Sequence, residues 1–140
     1  MKKHHDCRIE LKNAGLRVTP ARLGVLAGLE ESRLPLDIKD IIGYLSLKKI
    51  KADKVTVFRI INALVHAKLV IPIQLHEGKF RYEHVARSDH HHFVCESCKR
   101  IEDIFNCKID ELEKDLYKKN GLLIKHHSLE FFGLCQDCQQ

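Results

Sequence analysis

Two CxxC pairs, Cys95 with Cys98 and Cys135 with Cys138, put four thiols where two tight turns can each aim two sulfurs at one ion. Four thiolates grouped in this way close a tetrahedral cage around zinc, which leaves no open position and makes the site structural rather than catalytic. A redox-active CxxC or a disulfide is the alternative use of the same spacing. Just ahead of the first pair runs His90-His91-His92. On a strand, His90 and His92 point to one face and His91 to the other, together with Asp89, so one short segment can feed two separate sites. The first can combine His90 and His92 with Glu83 and Asp103; the second can combine Asp89 and His91 with Asp110 and His127. Mixed imidazole and carboxylate donors suit Fe(II), Mn(II), Zn(II) or Co(II) without choosing sharply among them. A histidine run can equally be solvated or belong to a catalytic pair.

The elements that must position these groups fall into two halves. Of the 140 residues, 1–84 carry 16 Lys/Arg against 9 Asp/Glu, a balance of +7, whereas 85–140 carry 8 against 10, a balance of −2. The basic half should seek an anion, with nucleic acid the usual candidate; a solvated surface or an acidic protein partner gives the same balance. No apolar run approaches a membrane span, and Met1-Lys2-Lys3-His4-His5-Asp6 leads into a helical pattern rather than a signal-peptide core, so a cytosolic protein with reduced thiols is expected. Cys7 and Cys107 belong to neither CxxC pair.

In the basic half, a short helical stretch over 7–14 is stopped by Gly15, and Thr19 can cap a helix that begins at Pro20. Asp37 opens a third helix after the Leu34-Pro35 break. From Asp53, Val57, Ile60, Ile61, Leu64 and Val65 repeat at helical spacing and leave Lys54, Thr56, Arg59 and Asn62 on other faces. Two β-like runs, 69–75 and 79–84, then meet through His76-Glu77-Gly78, and helices closed by such a hairpin suggest a winged helix. A helical domain that merely shows its basic face to water is the plainer alternative. Beyond a hinge near 84–89, the spacing predicts strands at 93–95 and 101–105, a helix carrying Ile109, Leu112, Leu116 and Tyr117 and ended by Gly121, and a strand over 122–132. The expected fold class is α+β.

Five segments taken together, Leu11 to Arg22 (LKNAGLRVTPAR), Thr56-Val57-Phe58-Arg59, Arg81-Tyr82-Glu83, His90 to Cys95 (HHHFVC) and Gly133 to Cys138 (GLCQDC), resemble the ferric uptake regulator family of metal-responsive transcription factors over nearly the whole sequence. The resemblance implies a winged helix-turn-helix domain over 1–84 and a small dimerisation domain over 85–140 that is held by a CxxC…CxxC zinc. It implies a regulatory metal at the hinge on Glu83, His90, His92 and Asp103, taking Fe(II), Mn(II) or Zn(II), and a second site on Asp89, His91, Asp110 and His127. The DNA-contacting arginine falls on Arg59, behind Phe58 where tyrosine is usual; Arg17, Arg22, Lys54 and Thr56 complete the implied DNA contacts. Leu34 stands where the family has a histidine ligand, so the hinge site is expected to be weaker, to recruit the neighbouring His84, or to complete its shell with water. Asp103 is the carboxylate usual in the family's peroxide-sensing branch.

The expected function is a homodimeric repressor that binds double-stranded operator DNA, with no membrane partner and no enzymatic activity. A peroxide-sensing regulator of the same family and a metal storage or chaperone protein are the alternatives, the latter leaving the basic winged-helix pattern unexplained. A metal-dependent hydrolase would need an open metal facing a substrate cleft and a poised base, which the spacing does not identify.

Overall fold

Each helix in the first half of the protein begins where a short polar residue takes up its free N–H groups. The computed structural model describes residues 6–87 and 90–140. Helix α1 (Cys7–Asn13) starts at Asp6, which accepts from the Arg8 N–H at 3.0 Å, and α2 (Pro20–Glu31) starts at Thr19, which accepts from Arg22 N–H at 3.2 Å. A reciprocal box of Asp37 and Asp40 opens α3 (Ile38–Leu47), and Asp53 accepts from Thr56 N–H at 2.8 Å to open α4 (Lys54–His66). Their apolar faces meet in one core of Leu11, Val25, Leu26, Leu29, Ile41, Leu45, Val57, Ile60, Ile61 and Leu64. Helices α2 and α3 approach so closely at Gly28 that a Cβ there would lie 2.7 Å from the Tyr44 ring.

Strands β1 (Val70–Gln74) and β2 (Phe80–His84) form the antiparallel hairpin, with Val70 opposite His84 and Gln74 opposite Phe80. Its turn uses left-handed backbone at His76 and Gly78. Tyr82 bridges to Leu36 just before α3, and Lys79 reaches the Asp37 carboxylate at 2.5 Å, so the wing is fastened to the start of that helix. Burial alone would push the Asp37 carboxyl up, but the Lys79 ammonium and the Asp40 N–H together outweigh it and hold it below the usual carboxylate range. A carboxyl lowered by folding contributes stability above its ordinary pKa and loses it as pH falls through the lowered one. Asp37→Ala is therefore expected to cost about 1–2 kcal/mol at neutral pH. In denaturant unfolding, the difference from wild type should shrink at roughly pH 3; an undiminished difference there would assign the loss to packing instead.

The second unit is a three-stranded sheet in the order β4-β3-β5 with one helix. Strand β3 (His91–Cys95) pairs antiparallel with β4 (Ile101–Ile104) and parallel with β5 (Glu130–Gly133). Helix α5 (Ile109–Asn120) connects β4 to β5 and ends on Gly121 in left-handed conformation. The strand expected over 122–132 is confined to Glu130–Gly133. Its parallel ladder with β3 begins with Glu130 beside His92. Leu122 and Leu123 are exposed, and their spacing marked side chains that call for burial rather than a sheet. The backbone divides into two compact units, Met1–Ser88 and Asp89–Gln140. Among the described residues, no helix is long and apolar enough to cross a membrane.

Candidate metal centres and nucleic-acid interface

Pairing of β3 with β5 brings the two CxxC turns to the same end of the sheet. Cys95 ends β3 and Cys98 lies in the turn before β4; Cys135 follows β5, and Cys138 lies in a short 3-10 turn, its N–H bonded to the Cys135 carbonyl at 3.1 Å. The four sulfurs all lie within 4.8 Å of one another, and Cys98 Sγ is 3.8 Å from Cys135 Sγ. A Zn–S bond of about 2.3 Å gives a tetrahedron with edges of about 3.8 Å, so the spacing fits zinc. Backbone N–H groups of Cys135 and Cys98 point at Cys95 Sγ and draw its thiol down to about 6. The neighbouring Cys135 sulfur pushes Cys138 up to about 11. Thiols crowded this way resist ionising together, and a bound dication removes that resistance. Arg100, its charge favoured first by Cys135, adds a fixed cation beside the cage. Bound zinc would cross-link the end of β3 to the turn that follows β5.

On one face of the sheet, His92 sits opposite Asp103 across β3 and β4, as strand alternation predicts. His90 Nε2 is 3.2 Å from His92 Nε2, and Asp103 Oδ1 is 3.6 Å from the first and 3.7 Å from the second. Both imidazoles are buried, and the His90 ring lies 5.7 Å from the Phe105 ring. Two nitrogens and one carboxylate thus converge in a set suited to Fe(II), Mn(II) or Zn(II). Glu83 stands on β2 in the first unit, opposite Ile71.

The other face carries His91, whose Nε2 lies 2.9 Å from His127 Nε2. Burial first and then His127 lower the His91 pKa. His127 Nδ1 bonds Glu113 on α5 at 3.0 Å, a carboxylate that the ligand spacing did not single out. Asp110 lies one turn earlier on the same helix, and helical periodicity gave no reason to prefer Glu113 at i+3. Asp89 lies outside the described residues.

In the first unit, α4 buries Val57, Ile60, Ile61 and Leu64 and turns Lys54, Thr56, Phe58, Arg59 and Asn62 to solvent, with exposed Val55 beside them. Arg17 is exposed ahead of α2, and the Arg22 guanidinium donates to the Arg17 carbonyl at 2.9 Å, steadying that segment. A cationic helix face with apolar side chains suits a DNA groove, where thymine methyls and phosphates lie side by side. The sequence model of the Ferric uptake regulator family matches residues 13–132. The chain belongs to this family. Members similar to it include the peroxide operon regulator of Bacillus subtilis, 32% identical over 93% of this chain and 89% of that protein. The ferric uptake regulation protein of Neisseria gonorrhoeae is 30% identical over 93% and 91%. Among solved structures, the Vibrio cholerae ferric uptake regulator matches with a TM-score of 0.80 at 27% identity, spanning 93% of this protein and all of that one. The protein is thus a metal-responsive transcriptional regulator of the ferric uptake regulator family. Leu34 is an exposed apolar side chain in the loop before α3. His84, the imidazole neighbouring Glu83, has its Nε2 2.9 Å from Glu10, and its Nδ1 accepts the Ala86 N–H at 3.1 Å.

Proposed function

We propose that the protein is a cytoplasmic homodimeric repressor whose affinity for double-stranded operator DNA is set by metal on Glu83, His90, His92 and Asp103, with zinc in the four-cysteine cage. The convergence of His90, His92 and Asp103 carries this reading, because an imidazole and carboxylate set with room for further ligands can exchange its metal while a closed S4 cage cannot. Residues 1–84 read DNA and 85–140 form the dimer. The exposed Leu112, Tyr117, Leu122, Leu123, Phe131 and Phe132 support a second copy as the cover for the second unit. The second histidine set, Asp89, His91, Asp110 and His127, takes Glu113 as a further donor. Metal analysis of the purified protein beside DNA titrations with Fe(II), Mn(II) and Zn(II), each with and without chelator, tests the reading. DNA affinity indifferent to all three metals would leave a storage or chaperone role in its place.

Arg59→Ala is expected to weaken operator binding by about 1–3 kcal/mol while sparing random DNA, whereas Lys54→Ala should weaken both and lower the salt slope by about one. Equal losses on the two DNAs for Arg59→Ala would make it a phosphate contact. Leu34→His should restore a donor from the first unit, raising regulatory-metal affinity by roughly tenfold and enlarging the metal-dependent gain in operator binding. Unchanged values for both would show that the site is completed without that position.

Peroxide sensing is the second reading, favoured by Asp103 and by the similarity to the Bacillus subtilis peroxide operon regulator. Its test is mass spectrometry after exposure of the Fe(II) protein to peroxide, with addition of an oxygen atom to His90 or His92 as the positive result. Unmodified histidines with unchanged DNA binding would remove it.

A further inference from the structure

Three elements of the first unit bring together another set of metal-binding side chains, none of them assigned to the DNA face, the cysteine cage or the histidine sets. Cys7 and Glu10 stand one turn apart on α1, Glu30 lies near the end of α2, and a donor atom of each lies within 4.8 Å of the other two. The Cys7 thiol donates to Glu30 Oε2 at 3.2 Å. His84, at the end of β2, holds Glu10 from the other side. Because its Nδ1 accepts the Ala86 N–H at 3.1 Å, the ring proton resides on Nε2, which donates to Glu10 Oε2 at 2.9 Å and Oε1 at 3.3 Å. Cys7, Glu10 and Glu30 are half-buried and His84 is fully buried.

Two carboxylates this close repel one another in a medium drier than water, and a thiol beside them cannot easily ionise. Burial, and then Glu30, push the Cys7 thiol up to about 12. A cation reverses both penalties. Sulfur selects against the hard ions Mg(II) and Ca(II), while one thiolate with two carboxylates matches a borderline-soft ion that completes a tetrahedron with water. A carboxylate ligand held by a buried histidine has the usual form of an oriented metal donor.

We propose that Cys7, Glu10 and Glu30 form a divalent-cation site in the first unit, suited to Zn(II), with His84 as the positioning residue for Glu10. Binding converts the Cys7 thiol to a metal-bound thiolate and releases one proton to solvent. The ion clamps α1 to α2 across the connection that carries Arg17. The site is separate from the proposed regulatory centre and stands whether or not that centre controls DNA binding.

The test is titration of the full-length protein, its four-cysteine zinc retained, with Co(II), reading the sulfur-to-cobalt charge-transfer absorption and the protons released. The histidine and carboxylate centres have no sulfur and add nothing to that absorption. Wild type should gain one thiolate-bound Co(II) per protomer; Cys7→Ser should lose the band and the associated proton. Glu30→Gln, which keeps an acceptor for the thiol, should weaken binding by roughly tenfold or more, and it reads the same site if Cys7→Ser fails to fold. Zinc analysis after each titration verifies that the cage is intact. Absence of the band from wild type, or a band of equal intensity in Cys7→Ser with zinc retained, would overturn the site and leave Cys7 as a hydrogen-bond donor to Glu30.

Discussion

Cys138→Ser is expected to release zinc and to disorder the second unit while the first stays folded. Few side chains of that unit are buried within one protomer: among the described residues α5 buries none, and Val94, Cys95 and Cys135 are the buried apolar positions of 90–140. A unit with so small a core depends on cross-links or on a partner copy. Zinc held by four thiolates is worth about 10–16 kcal/mol of apparent binding energy at neutral pH, most of it realised only in the folded state. Loss of one ligand leaves the remaining three open to chelators, so the variant should lose zinc under gentle chelation that wild type withstands. Circular dichroism should show loss of β3, β4 and β5 signal with the α1–α4 helical signal retained, and sedimentation should show monomer. A zinc-free, dimeric and fully folded Cys138→Ser would end the structural-zinc assignment.

Removing one imidazole from the exchangeable centre should have the next largest effect. His92→Ala deletes a donor that faces Asp103 across the sheet and His90 at 3.2 Å. Regulatory-metal affinity should fall by about 100-fold or more, since changes to the outer shell alone cost about 10- to 100-fold. The metal-dependent gain in operator affinity, typically about 5- to 150-fold for coupled sites, should then vanish at ordinary metal concentrations. Metal-free DNA binding should be unchanged, because Lys54, Thr56, Phe58 and Arg59 lie on a separate unit. The measurement is operator binding with and without Mn(II), paired with zinc analysis to show that the cysteine cage survives. A full metal response in His92→Ala would move the switch elsewhere, with His91, His127 and Glu113 the next set to alter.

What could be read from the residues alone was whatever the backbone decides within one element. Thr19, Asp37 and Asp53 announced their helices because a short side chain reaches the N–H three positions ahead. The strict alternation of a strand separates His90 and His92 from His91, and the CxxC spacing sets two sulfurs on each turn. Alternation misled over 122–132, where the apolar pattern was real but the ladder with β3 takes up only Glu130–Gly133. Tertiary structure alone chose among residues that local periodicity treats alike: Glu113 rather than Asp110 against His127, and Glu10 as the partner of His84. It also joined Cys7 to Glu30 across 23 positions and His84 to Glu10 across 74. Those meetings depend on how α1, α2 and β2 pack, and packing is set by the shapes of many side chains together rather than by the spacing of any few.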